Sequence, residues 1–163
     1  MMRRRIAFIT KSAIIAAVYI ALTAIFAAIS FGPIQFRISE VLTVLPALTP
    51  AAIPGLFIGC ALSNLIFGGL GPVDLVLGST ATLLAATASY FLRKRIWLVP
   101  LPPVLLNGLI VGAYLPYLLP DANLMLIPSM LTVAAGELLV CYGIGYPLLA
   151  YLKLRWPKIM QKQ

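Results

Sequence analysis

Six apolar runs follow one another along the chain, separated by helix breakers or clusters of charge, and that spacing confines it to folds that live in a lipid bilayer. The runs cover 12–30, 38–48, 51–67, 73–92, 97–118 and 124–152. The breaks are Phe-Gly-Pro at 31–33, Thr-Pro at 49–50, Gly-Gly-Leu-Gly-Pro at 68–72, Arg-Lys-Arg at 93–95 and Pro-Asp-Ala-Asn at 120–123. Hydrophobic residues make up 62% of the chain and charged ones 10%, against about 45–50% apolar in soluble domains. The reading is an all-α integral membrane protein, a compact bundle of six transmembrane helices forming a single domain over residues 1–163. The second run is short for a span that needs about 20 residues. The first run exceeds the roughly 7–15 residues of a signal-peptide core and is expected to be retained.

The cations support six passes. With the N-terminus inside, the inner helix ends carry Arg3, Arg4, Arg5, Lys11, Arg93, Lys94, Arg95, Lys153, Arg155, Lys158 and Lys162, and only Arg37 falls outside. This is the bias of the positive-inside rule, and it places both termini in the cytoplasm. Removing the second pass would put the 93–95 cluster on the wrong side. The net charge of +8 is thereby explained by topology and implies no nucleic-acid partner.

Several chemistries are excluded. The chain has no histidine, so imidazole catalysis and imidazole metal ligation are absent. It has no Gly-rich loop ending in Lys-Ser or Lys-Thr, so ATP-driven work would need partner subunits. Cys60 and Cys141 lie inside apolar runs and read as small buried hydrophobes rather than a disulfide or metal pair. Neither an enzyme nor a metal site is expected.

Polar residues inside apolar runs carry what function the chain has. Glu137 lies about ten residues, roughly 15 Å, into the last helix, near mid-bilayer. A lone carboxylate there costs at least about 2.5–3.5 kcal/mol to insert, which marks it as functional unless it only hydrogen-bonds a neighbouring helix. Asn107 lies at similar depth in the fifth helix, with Tyr114 two turns above it on the same face and Tyr117 a further turn out. Asn64 is near the outer end of the third helix. Asp74 follows Gly71-Pro72, where a carboxylate would cap a helix start, and Asp121 reads as a solvated turn residue.

Gln35, Arg37 and Ser39 alternate with Ile34, Phe36 and Ile38, giving an extended segment with one polar and one apolar face. The apolar face would rest on helix ends, Ser39 would cap the second helix, and Glu40 would occupy its first turn. Arg37 and Glu40 are then either the lid and rim of a pocket floored by Glu137, whose loss should hurt most, or a plain surface pair. The expected substrate-binding set is Arg37, Glu40, Asn64, Asp74, Asn107, Tyr114 and Glu137. On the first helix Ala13, Ala17 and Ala21, continued by Ala24 and Ala28, form a small-residue stripe for close approach of another helix, inside the bundle or from a partner.

Across residues 11–155 the chain resembles the substrate-binding S components of energy-coupling factor (ECF) transporters. The stretches GPIQFRISEVLTVLP, LTPAAIPGLFIGC, FGGLGPVDLVLGS, PLPPVLLNGLIVG and GELLVCYGIGYPLL are similar to the QueT-type branch, associated with queuosine precursors. The resemblance implies a multi-pass protein of the bacterial plasma membrane that binds its ligand near the outer face. It implies partners in a transmembrane coupling subunit, contacted through Ala13, Ala17 and Ala21, and two ATPase subunits that use the ATP. No cofactor is expected in this chain. A 7-deazaguanine offers a donor edge for a carboxylate and an acceptor carbonyl for Asn, Gln or Arg, and queuine adds a cationic amine and a diol. The alternatives are an S component for another small polar, vitamin-like ligand, or an autonomous proton-coupled carrier using Glu137.

Overall fold

In the computed structural model, residues 2–31, 35–68 and 70–160 are described, with side chains as far as Arg155. Gly32, Pro33 and Gly69 of two sequence breaks, Ile34 of the alternating segment and Lys162 lie outside them, as does the side chain of Lys158. The helices are α1 (Met2–Ile25), α2 (Ile38–Ala47), α3 (Ala52–Gly68), α4 (Gly71–Phe91), α5 (Ile96–Leu118) and α6 (Leu126–Arg155), the last continuing as backbone to Met160. A separate helical turn, Ala27–Ser30, follows α1. Among the described residues there is no strand. The helices match the six apolar runs, and α1, α4, α5 and α6 are long and apolar enough to cross a membrane.

The short second run becomes a 3-10 helix over all of Ile38–Ala47. At about 2.0 Å per residue its ten residues reach about 20 Å, where an α-helix would reach about 15 Å. Its sequence favours the tighter winding: Ile38, Val41, Thr43 and Val44 are β-branched, and Pro46 lacks an amide donor. Buried from Ser39 to Val44, it is the central rod of the bundle rather than a lipid-facing helix.

Packing around that rod depends on small residues. On α3, a Cβ added to Gly55 would fall 2.6 Å from the Ser12 carbonyl, and one on Gly59 would fall 2.9 Å from Tyr19 Cβ, so α1 and α3 meet backbone to backbone. Gly108 and Gly112, one turn apart on α5, admit Ala134 and Met130 of α6 in the same way. A core of Tyr19, Val41, Leu42, Leu56, Cys60 and Val140 joins α1, α2, α3 and α6. A second core, with Val111, Leu115 and Val133, joins α5 and α6. Large apolar side chains such as Ile9, Leu65, Phe91 and Leu131 point outward, while Glu40, Asp74 and Glu137 are buried. This reverses the arrangement of a soluble protein and suits lipid surroundings.

Three stretches widen into π-helical turns: Asn64–Gly68, Asp74–Gly78 and Leu139–Gly145. Such turns interrupt the regular ladder and are frequent at functional sites. Asn64 and Asp74 each begin one, and Glu137 sits two residues before the third. At the α5–α6 connection Asp121 is exposed in a turn, as expected, and Asn123 closes that turn at φ 48°.

Candidate functional site

Helix α1 has two faces. Ser12, Ala16, Tyr19 and Thr23 face inward, and Ala13, Ala17, Ala21 and Ala24 face outward, with Ala28 exposed in the turn beyond. The alanine stripe therefore lies on the exposed side, away from the core. Tyr19 delivers the first polar group of the interior, its hydroxyl donating to Glu40 Oε1. Thr82 of α4 lies 3.3 Å from the same oxygen and 3.3 Å from Cys60 Sγ. Among the described residues Glu40 Oε2 has no partner although the residue is 0% exposed, so Glu40 belongs to the interior and not to a rim.

Opposite Glu40 stands Glu137. Its Oε1 accepts from Asn107 Nδ2 at 2.9 Å, and Cys141 lies one turn on, with Sγ 3.4 Å from Oε2. Cys141 also approaches the Glu40 carbonyl at 3.6 Å, tying α6 to α2. Glu137 thus serves as the helix-to-helix hydrogen bond weighed from sequence, while lying within charge–charge range of Glu40 and Arg37.

A third carboxylate lies nearer the end of the bundle where α3 meets α4. Asp74 Oδ1 accepts from the Tyr114 hydroxyl at 2.6 Å, and Asn64 Nδ2 donates to the Asp74 carbonyl at 3.0 Å. The three converge over Gly78, where a Cβ would lie 2.9 Å from Asn64 Nδ2, 3.0 Å from Asp74 Oδ1 and 3.0 Å from the Tyr114 hydroxyl. Asp74 is therefore not a helix cap; at 1% exposure it is a buried acceptor whose Oδ2 has no partner among the described residues. Tyr114 and Asn107 are two turns apart, about 10 Å along α5, so the acids form two layers.

Arg37 connects the layers. Gln35 sits in the left-handed region at φ 44°, an uncommon conformation for a residue with a side chain, and the segment after it is extended at Arg37. This turns the polar side chains Gln35, Arg37 and Ser39 inward, while Phe36 and Ile38 are half-buried against the core. The guanidinium stacks 4.9 Å from the centre of the Phe31 ring, places Nη1 3.5 Å from Cys60 Sγ, and lies within charge–charge range of Asp74 and Glu40. Its Nε and Nη2 have no partner among the described residues. Arg37 and Glu40 are both buried and bond elsewhere, so the surface pair is ruled out.

One further expectation fails here. Ser39 makes no side-chain cap to α2; its oxygen is joined to the Thr23 hydroxyl at 2.8 Å, because the inward turn leaves it facing α1. Tyr117, one turn beyond Tyr114, is 78% exposed and outside the cluster. Sequence reading also passed over Tyr19, Thr82, Cys60 and Cys141. A signal for Tyr19 existed in the polar spacing Ser12, Tyr19, Thr23 along one face of an apolar helix. The two cysteines carried none, since a thiol in an apolar run looks like packing.

All seven candidate residues are buried and converge in the interior: Arg37, Glu40, Asn64, Asp74, Asn107, Tyr114 and Glu137. Among the described residues, Gln35 Nε2, Arg37 Nε and Nη2, Glu40 Oε2, Asn64 Oδ1, Asp74 Oδ2 and Asn107 Oδ1 have no partner. Buried polar groups normally find partners, so a convergent set of free donors and acceptors has the chemistry of a binding site for a polar molecule. Beside it a cavity of about 300 Å³ is lined by Asn64, Leu65, Gly71, Pro72 and Leu75.

A bundle of apolar helices around such a site fits a multi-pass membrane protein with an interior site for a small polar molecule. The profile of the QueT transporter family matches residues 9–154, and the chain belongs to that family. It is 38% identical over 89 residues to the queuosine precursor transporter QueT of Lactococcus lactis subsp. cremoris (strain MG1363). That match covers 53% of this chain and spans about half, 52%, of the relative's length. No solved structure matches.

Proposed function

We propose that the chain is the substrate-binding subunit of an ECF-type importer, binding a queuosine precursor, a 7-deazaguanine base or nucleoside, at the outer face of a bacterial plasma membrane. It crosses the bilayer six times as a single domain with both termini in the cytoplasm, uses no cofactor of its own, and depends on a coupling subunit and two ATPase subunits. The observation that carries the reading is the set of free buried groups, which matches the ligand in kind. Glu40 Oε2 accepts from the ring imino and exocyclic amine, and Gln35 Nε2 or Arg37 donates to the ring carbonyl. Family membership supports transport, and the name of the Lactococcus relative supports the solute class.

Uptake of labelled 7-deazaguanines into proteoliposomes, with and without the energising module, tests this. Uptake is expected only with the module and ATP. Uptake by the isolated chain along a proton gradient would overturn the reading in favour of an autonomous carrier.

The outward alanines of α1 are the face offered to the coupling subunit, since small side chains let helices approach closely. Ala17→Trp is expected to leave ligand affinity within about twofold and to reduce co-purification with the coupling subunit by at least about tenfold. Normal assembly and transport would place the partner elsewhere.

A further inference from the structure

Buried charge in this protein does not balance. Among the described residues Glu40, Asp74 and Glu137 are buried carboxylates, and Arg37 is the buried cation. An uncompensated buried carboxylate is costly, so a site with surplus acids favours a ligand that brings positive charge. Of the three, Asp74 is in the layer away from the Glu40–Glu137 pair. Its environment is biased toward accepting: Tyr114 already donates to Oδ1 and Asn64 spends Nδ2 on the Asp74 carbonyl. What remain free are two acceptors, Asp74 Oδ2 and Asn64 Oδ1, on side chains 1% and 5% exposed. The Phe31 ring, one face of which carries the Arg37 guanidinium, lies nearby, since a Cβ on Gly68 would be 3.3 Å from both Phe31 Cε1 and Asp74 Oδ2. An ammonium group carries only donors and is attracted to carboxylates and aromatic faces.

We infer that Asp74, with Asn64, is a cation subsite that selects ligands bearing a protonated amine, set in the layer beside the heterocycle layer at Glu40. The inference rests on the proposed 7-deazaguanine reading and adds to it: the base is read in one layer, and the charge of the base's substituent in the other. Tyr114 is a positioning residue that holds Asp74 Oδ1 and turns Oδ2 toward the ligand.

Calorimetry on the purified full chain with two probes tests this: 7-aminomethyl-7-deazaguanine, a cation at neutral pH, and its neutral near-isostere 7-hydroxymethyl-7-deazaguanine. The wild type is expected to bind the cation at least about 30-fold more tightly. Asp74→Asn should erase most of that preference by weakening the cation far more than the neutral probe. The melting temperature of the variant checks that it is folded. If Asp74→Asn does not fold, the wild-type preference and its reduction in Asn64→Ala decide. Equal wild-type affinities would overturn the cation subsite and leave the base reading intact. Equal weakening of both probes by Asp74→Asn would assign Asp74 to the base or to the fold, and binding of neither probe would overturn the base reading and this inference together.

Discussion

Glu40→Gln is expected to weaken binding of a 7-deazaguanine by roughly 30- to 4,000-fold, the equivalent of about 2–5 kcal/mol for leaving buried ligand donors without their carboxylate acceptor. Glutamine keeps the shape but replaces one acceptor oxygen by an NH2 group. That group would either face the Tyr19 hydroxyl, which now donates to Oε1, or face the ligand's own N–H donors. Either orientation leaves a buried donor unsatisfied. Glu137→Gln should cost less, because Asn107 and Cys141 already engage its two oxygens, whereas Glu40 Oε2 has no partner among the described residues. Depth along the helix had pointed to Glu137 as the more important acid; hydrogen-bond accounting reverses the order. Calorimetry on both variants, each with its melting temperature measured, checks the ranking. A larger loss for Glu137→Gln would remove Glu40 Oε2 as the ligand's acceptor.

Gly112→Leu is expected to prevent stable folding. A Cβ at this position collides with Met130 Cα and falls 3.0 Å from Met130 N, and backbone atoms cannot rotate away as a side chain can. Overpacking a core costs about 1–3 kcal/mol when side chains absorb the strain, and more when two backbones must separate. Asn107 and Glu137 sit on the same two helices, so parting α5 from α6 would also stretch the 2.9 Å bond between them. Loss of the folded fraction in size-exclusion chromatography, and of binding in any that survives, is the expected result. Gly143→Ala is the control: nothing lies within 4 Å of a Cβ there, and melting should match or exceed the wild type. Wild-type melting in Gly112→Leu would mean that α5 and α6 do not pack through this glycine.

The sequence by itself determined the class of protein and most of the site's membership. Apolar runs of this length have to be helical in lipid because every backbone group must be satisfied within the segment, so their breaks located the helices. Polar residues inside such runs have to face inward for the same reason, which made Asn107, Tyr114 and Glu137 legible as one face before any partner was known. Only the tertiary structure decided how they pair. Whether Asp74 caps a helix or accepts from Tyr114, whether Ser39 caps α2 or meets Thr23, and whether Arg37 pairs with Glu40 or reaches Cys60 depends on groups 16 to 40 residues apart in the chain. The 3-10 winding of α2 and the π-helical turns at Asn64 and Asp74 belong there too, since backbone distortions of this kind persist where packing holds them. Local sequence specifies which side chains must leave the lipid; the partner each one finds is set by how closely the glycines let the helices approach, a property of pairs of helices that no single segment contains.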